Sequence, residues 1–204
     1  MRMKNFLAIF LMAILAFALA GQVQAAPGMA EARVMIFTAG RLPVWLAPGQ
    51  AGGTGMARRD RAFDEDEMRD CDIRPLASTV LRFNLERPEP VSFGLTQELP
   101  FKAGDGHCDL CRLGTIGRFA LAGDRLSGTV SCTLLTDVAT LDDGSAARTN
   151  QPVSQAVRAA VDGALPSGGW LCLDMGVSGT RHVLAMVVRE EEVEVVPHDV
   201  VPEG

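Results

Sequence analysis

The sequence contains no tyrosine and only two tryptophans among its 204 residues. Exposed aromatic rings supply the amphipathic platforms on which sugars stack, so this scarcity argues against a carbohydrate-binding protein. An excess of basic residues is also absent, since 19 lysines and arginines stand against 25 acidic residues and give a net charge of −6. An acidic balance argues against nucleic acid or anionic lipid as the main partner. We therefore expect protein partners.

Long apolar runs are missing after residue 25, whereas a membrane-spanning helix needs about 20 apolar residues. The first 25 residues have the three parts of a cleavable secretory signal peptide. They begin with Arg2 and Lys4, continue with an uncharged run from Phe6 to Ala20 that is short for an anchor, and end with the small residue Ala25. We predict a periplasmic or secreted protein with no stable membrane span after cleavage. Cleavage shifts the net charge to about −8, because two basic residues are removed.

Recognisable catalytic motifs are missing too. Ser178 lies in residues 176–179 (GVSG), which lack the spacing of the GxSxG nucleophile elbow. Acid pairs such as Asp142 and Asp143 lie at predicted turns, where aspartate bonds its own backbone. His182 opens a predicted strand, and His198 lies in the acidic tail. The sequence therefore predicts a protein that is not an enzyme, and we assign no catalytic residue.

Cysteine is present, and the predicted compartment makes it informative. The five cysteines are Cys71, Cys108, Cys111, Cys132 and Cys172. An oxidising compartment favours disulfides among them with at least one thiol left over, but the spacing does not fix the pairing. Cys132 and Cys172 both fall in predicted strands, which favours either a cross-strand bridge or two small buried side chains.

The cluster of His107, Cys108 and Cys111 carries the most specific chemistry. Three soft or borderline ligands within five residues could begin a zinc site, and CxxC is also the spacing of thiol redox centres. The cluster follows a glycine-rich loop instead of opening a helix, and a fourth ligand would have to come from afar, such as His182 or Cys71. The alternative function is therefore a periplasmic thiol-redox or zinc-binding protein, with zinc as its cofactor.

Apolar and β-branched runs separated by turns rich in glycine and proline predict a mainly β fold, an antiparallel sheet or sandwich. Residues 153–163 are ambiguous, because Val153, Val157 and Val161 share one face of a strand while the wider pattern has helical spacing, which favours one short helix. The charged segment at 58–72 indicates a solvated loop or a short helix, since its acids lack the spacing of a calcium-binding loop.

These patterns divide the chain into four segments. Residues 1–25 are the predicted signal peptide. Residues 26–78 are an irregular N-terminal extension with one or two short strands and a charged loop. Residues 79–193 form the predicted β-domain, and residues 194–204 form an acidic tail.

The order of elements in residues 91–193 resembles the β-domain of secretins, the outer-membrane gates of secretion and pilus systems. Residues 93–101 (FGLTQELPF) are similar to a strand of that family in which glycine precedes a polar stretch ending in proline and an aromatic residue. Residues 117–135 follow the order of its next strand pair, and 153–173 and 183–188 follow the order of its last elements. The resemblance implies a related sheet and makes 153–161 a strand. The ring-forming N-terminal modules and membrane-spanning hairpins of the family are not recognisable.

Together these patterns predict an exported, non-enzymatic β-domain that binds or assembles with other cell-envelope or secretion components. The prediction depends on three features of the sequence: the strand-rich pattern, the lack of a catalytic motif and the secretin-like order of elements.

Overall fold

The computed structural model describes residues 28–46, 55–102, 108–141 and 149–190. The predicted signal peptide at 1–25, the acidic tail at 194–204 and His107 lie outside these residues.

Within the described residues the chain forms nine strands, because apolar and β-branched side chains alternate with polar ones along them. In chain order they are β1 (Met29–Ala39), β2 (Met56–Arg59), β3 (Arg74–Asn84), β4 (Val91–Lys102), β5 (Cys108–Ala122), β6 (Arg125–Leu141), β7 (Thr149–Ala164), β8 (Trp170–Ser178) and β9 (Arg181–Arg189). A 3₁₀ turn (Val44–Leu46) and the short helix α1 (Glu65–Asp70) lie between β1 and β3. No helix in this part of the chain has the length and apolar character needed to cross a membrane.

The strands form two antiparallel sheets in the described residues. The five-stranded sheet has the order β2-β8-β9-β1-β3, and the four-stranded sheet is a meander of β4-β5-β6-β7. The mainly β, antiparallel fold predicted from the sequence is confirmed.

The core lies between the two sheets, which bury alternate side chains against each other. Val34 and Ile36 of β1 face Phe119 and Leu121 of β5 across this core, and all four are almost fully buried. Phe93 of β4 stacks on Phe119 with ring centroids 5.8 Å apart. Burial of these apolar side chains is the main stabilising contribution to the sandwich.

The other face of the five-stranded sheet is covered by an excursion of the chain between β1 and β3. The backbone N–H groups of Gly40 and Arg41 both donate to the carbonyl of Cys71, at 2.8 and 3.3 Å, which closes the excursion at its base. The excursion packs apolar side chains, among them Trp45, Phe63 and Met68, over Cys172, Leu184 and Met186 of the sheet.

Glu67 of α1 holds the excursion together. Its carboxylate accepts two hydrogen bonds from Arg59 and one from Trp45, all at 2.9 Å, and one from the backbone of Asp64 at 3.1 Å. Burial by itself raises the pKa of Glu67, but the hydrogen bonds from Arg59, Asp64 and Trp45 outweigh burial and hold the pKa below its usual value. The charged segment thus forms a short helix, one of its two predicted forms.

The structure corrects the predicted helix at 153–163. β7 runs through this segment and pairs with β6 from Ala164 to Thr149. Val157, Ala159 and Val161 are buried while the residues between them are exposed, which is the period of a strand. Pairing with β6 satisfies one side of the β7 backbone, and this tertiary interaction overrides the helical spacing of the apolar residues.

The predicted boundary between residues 78 and 79 differs from the structure. It falls inside β3, and β1, which the sequence assigns to an irregular extension, lies between β9 and β3 in the five-stranded sheet. Gly28–Glu192 form one compact unit. The sequence shows no sign of this because β1 pairs with β9, about 150 residues further along the chain.

Candidate functional site

The four-stranded sheet is longer than the five-stranded sheet that packs against it. Its strands have 12 to 17 residues, whereas β8 and β9 have nine each. None of the side chains described in 97–101, 108–113, 135–139 and 151–156 belongs to the core between the sheets. At residue 155 the sheet still contacts the β8–β9 turn, because the Gln155 side chain donates to the Val177 carbonyl at 3.1 Å and accepts from the Gly179 N–H at 3.0 Å. Beyond this contact one end of the four-stranded sheet projects from the sandwich.

Pairing between β5 and β6 stops part-way along this projecting end. The ladder runs from Ala122 opposite Arg125 to Gly114 opposite Thr133 and, in the part of the chain described, goes no further. β4 and β5 stay paired to Lys102 and Cys108, and β6 and β7 stay paired to Leu141 and Thr149. The sheet continues as two hairpins, which we call the first hairpin (residues 97–102 and 108–113) and the second hairpin (residues 134–141 and 149–155).

Two backbone irregularities mark the start of this split. Gly114 has a φ of +120°, and a Cβ atom there would lie 2.1 Å from the carbonyl oxygen of Leu95, so only glycine fits. In β6 the register with β7 shifts between Leu135 and Asp137. Such a bulge bends its strand and increases its twist. Both strands that border the split therefore change direction close to where their pairing ends.

Both hairpins expose apolar side chains to solvent. Leu110 of the first hairpin is 56% exposed, and Val138 of the second is 49% exposed. The second hairpin has one charged residue, Asp137, whereas the first has four, of which Arg112 and Glu98 are paired at 2.8 Å. A two-stranded hairpin is at best marginally stable in water, so covering these exposed side chains would stabilise each hairpin.

The backbone edges of the hairpins are protected unequally. The outer strands carry Pro100 in β4 and Pro152 in β7, and proline removes a donor from an edge strand. The edges that face the split, 108–113 and 134–141, contain no proline. Each has instead one aspartate that bonds the next backbone N–H: Asp109 accepts from Leu110 at 2.8 Å, and Asp137 accepts from Val138 at 2.7 Å.

Of the predicted metal or redox residues, the structure describes Cys108 and Cys111 and does not bring their side chains together. Cys108 and Cys111 lie three positions apart on one extended strand, so their side chains point to opposite faces of the first hairpin. Cys108 is exposed and Cys111 is half-buried. His107 lies outside the described residues, and within those residues no group of three histidine, cysteine or acidic side chains could hold a metal ion.

The other three cysteines are buried, Cys71 and Cys172 in the cluster under the excursion and Cys132 in the core between the sheets, and all five are free thiols. Cys71 ends α1, Cys132 lies in the core between the sheets, and Cys172 lies under the excursion on the other face of the five-stranded sheet. The cross-strand bridge considered for Cys132 and Cys172 is therefore not formed. Burial raises the pKa of both thiols, that of Cys172 to about 12.

The polar residues of the β8–β9 hairpin do not form a nucleophilic site. Ser178 pairs with Arg181 and Val177 pairs with His182, so Ser178 and His182 point to opposite faces of the sheet. The Nδ1 atom of His182 lies 3.6 Å from Asp174 Oδ1.

No role is predicted from the sequence for Leu110, Leu135 or Val138. Their segments show the apolar character of strands, but the pattern of a strand is the same whether its edge is paired or open. The sequence feature that indicates the split is Gly114, since a glycine inside a strand often marks a bulge or a close backbone approach.

No protein-family model and no curated protein matches the sequence. A similar solved structure is the InvG secretin domain β-barrel from the Salmonella SPI-1 injectisome NC-base. The two chains are 11% identical, the match covers 95% of this chain and 70% of that chain, and the TM-score is 0.39. The comparison confirms the predicted resemblance to the secretin β-domain as a weak one.

Proposed function

We propose that this chain is an exported β-domain that assembles with other protein components of the cell envelope through its two projecting hairpins. The observation that supports assembly is the split in the four-stranded sheet, which leaves backbone edges open beside exposed apolar side chains. Burying such edges and side chains against another chain is favourable, since it pairs backbone groups that β5 and β6 leave unpaired with each other and removes apolar surface from water. Export to the periplasm or beyond is part of this proposal and depends on the predicted signal peptide.

In this proposal the domain acts by binding and not by catalysis. An open depression of about 410 Å³ lies at the turn between β5 and β6, and its rim carries Arg125 and Asp162. These two side chains already neutralise each other through two hydrogen bonds of 2.7 Å. The remaining lining is Asp124, whose carboxylate accepts a hydrogen bond from Arg189 at 2.8 Å, and glycine and alanine, which carry no functional group.

Site-specific photo-crosslinking in living cells tests the proposal. A photoreactive amino acid replaces Leu110 or Val138, and the control position is Val44, which is 93% exposed on the excursion, away from the hairpins. We expect adducts with other envelope proteins from the two hairpin positions and none from Val44. Recovery of the uncrosslinked monomer from all three positions would argue against assembly.

Export has an independent test in the mature chain. Mass spectrometry of the protein purified from the periplasm or the culture medium should show an N-terminus at Ala26. If the fractionated protein retains Met1, the signal peptide is not cleaved and the proposed export to the envelope is wrong.

A further inference from the structure

The two edges that face the split form an unusual pair. They belong to neighbouring strands of one sheet, their ladder is already formed as far as Gly114 and Thr133, and each continues for at least six residues. Proline interrupts the two outer edges of the hairpins but neither of these inner edges. The inner edges are therefore the better sites for backbone pairing.

We propose that the split accepts one extended strand of a partner protein, which inserts between β5 and β6 and forms hydrogen bonds with both. This inference rests on the proposed function and specifies the partner as an extended segment instead of a folded surface. The two facing edges each present a row of backbone N–H and C=O groups. A partner that bonds both rows must carry donors and acceptors at the same spacing on both of its sides, and an extended polypeptide strand does so.

The side chains along the split indicate which strand it accepts. Leu110 and Val138 are exposed beside the open edges, which favours apolar residues at alternate positions of the inserted strand. Asp109 and Asp137 contribute one carboxylate on each edge, and each carboxylate bonds the N–H that follows it. We infer that a strand carrying lysine or arginine displaces these local bonds and pairs with the two carboxylates.

A synthetic nine-residue peptide that alternates valine with lysine and threonine is the probe for the purified mature protein. Hydrogen exchange should slow at backbone amides in residues 109–113 and 134–139 together. Two matched controls are the same peptide with alternate backbone nitrogens methylated and the same peptide with glutamate in place of lysine. Methylation should weaken binding at least about tenfold, since it removes several backbone hydrogen bonds while it keeps the side chains.

A disulfide across the split provides a control within one chain. Leu113 and Leu134 would form the next pair of the β5–β6 ladder, so Leu113→Cys with Leu134→Cys closes the split when oxidised. The background is Cys108→Ser with Cys111→Ser, which removes the two accessible thiols. The reduced variant should bind the peptide as the parent does, and the oxidised variant should lose it.

Several results would overturn the inference. Two of them concern the control peptides: the methylated peptide or the glutamate peptide binds as tightly as the parent peptide. A third is that the parent peptide slows hydrogen exchange along β3, β4 or β7 instead of the inner edges. A fourth is that the purified protein self-associates and a second copy closes the split. Failure of the proposed function is a separate result. If the peptide binds in the split but no envelope adducts form in cells, the proposed assembly with envelope proteins is wrong and the strand-binding site stands. If adducts form but the peptide does not slow hydrogen exchange at the inner edges, assembly stands and the strand-binding site is wrong.

Discussion

At the scale of single residues, Glu67 shows how a carboxylate from a charged segment becomes a structural centre. In the sequence it is one of many charged residues. In the fold its carboxylate alone accepts hydrogen bonds from Arg59, Trp45 and the Asp64 backbone. Arg59 also lies over the Trp45 ring, 4.1 Å from its centroid, so its charge contacts a carboxylate and an aromatic face.

Glu67→Gln is expected to lower the free energy of unfolding by about 3 kcal/mol, because Arg59 would stay buried without its counter-charge. The Arg59 side chain is only 9% exposed. Urea unfolding followed by tryptophan fluorescence measures the loss. Glu65→Gln, on the exposed side of the same helix, is the control and should change stability by less than about 0.5 kcal/mol. Equal effects of the two substitutions would contradict the role of Glu67.

The contribution of Glu67 should also depend on pH. Its pKa in the folded protein lies below the usual value of 4.5, so its stabilising contribution is complete above that value and is lost as the pH falls through the folded pKa. The difference in unfolding free energy between the parent and Glu67→Gln should be constant near neutral pH and shrink below pH 4.5. A constant difference down to the acid transition would rule this linkage out.

Cysteine reactivity provides a second residue-level test. Burial raises the pKa of Cys172 to about 12, so the thiolate that reacts with alkylating agents is almost absent at neutral pH. We expect mass spectrometry after brief iodoacetamide treatment to show Cys108 modified and Cys172 unmodified, and both modified in urea. Rapid labelling of Cys172 in the folded protein would show that the excursion does not cover it.

At the scale of elements, the backbone of β5 decides where the four-stranded sheet divides. Gly114 and Gly94 lie in adjacent strands of the same sheet, yet their surroundings differ. A Cβ atom at Gly114 meets the Leu95 backbone, whereas at Gly94 the nearest atom is Ile116 Cγ2 at 3.8 Å, an ordinary contact. Glycine is required at the first position and tolerated at the second.

Gly114→Ala is therefore expected to destabilise the protein by about 2–3 kcal/mol, since it combines a positive φ with a backbone clash. Gly94→Ala is the matched control and should stay within about 1 kcal/mol of the parent. Chemical denaturation measures both, and hydrogen exchange should show the loss of protection beginning in residues 108–115. Similar stabilities of the two variants would show that β5 relaxes freely at this point.

At the scale of the whole molecule, the two sheets depend on one shared core. Phe119 is fully buried between them and stacks on Phe93, while Ile116 on the same strand is 56% exposed on the other face. Within the described residues the four-stranded sheet has its buried apolar face in this shared core alone, so it should not persist when the core is lost.

Phe119→Ala is expected to cost about 3–5 kcal/mol, the usual loss for a large core aromatic side chain. Ile116→Ala should cost less than about 1 kcal/mol. Far-ultraviolet circular dichroism and tryptophan fluorescence should report one coincident unfolding transition in both variants. Separate transitions would show that the four-stranded sheet folds without the five-stranded one.

The fold class could be predicted because strand residues and turn residues carry local signals. The mainly β antiparallel fold follows from runs such as 126–135 and 182–188, and both are strands in the structure. The segment 153–163 could not be decided in the same way. Its valines fit both periods, and only pairing with β6 selects the strand.

Most of the candidate site could not be predicted from the sequence. The cluster of His107, Cys108 and Cys111 drew attention because of its ligand types, but an extended strand directs Cys108 and Cys111 to opposite faces. The split was not predicted, because it depends on where pairing between two strands ends. That limit is set by Gly114, by the bulge in β6 and by the shorter sheet that packs against the longer one.

The sequence by itself determined the strand-rich pattern, the acidic charge, the predicted export signal and the lack of a recognisable catalytic motif. These are local properties, which composition and spacing record directly. Tertiary structure alone decided that β1 lies inside the five-stranded sheet, that Cys132 and Cys172 lie on different sides of that sheet, and that two hairpins project with open edges. The physical reason is that pairing and burial join residues far apart in the chain, and a local pattern holds no information about what lies beside it in space.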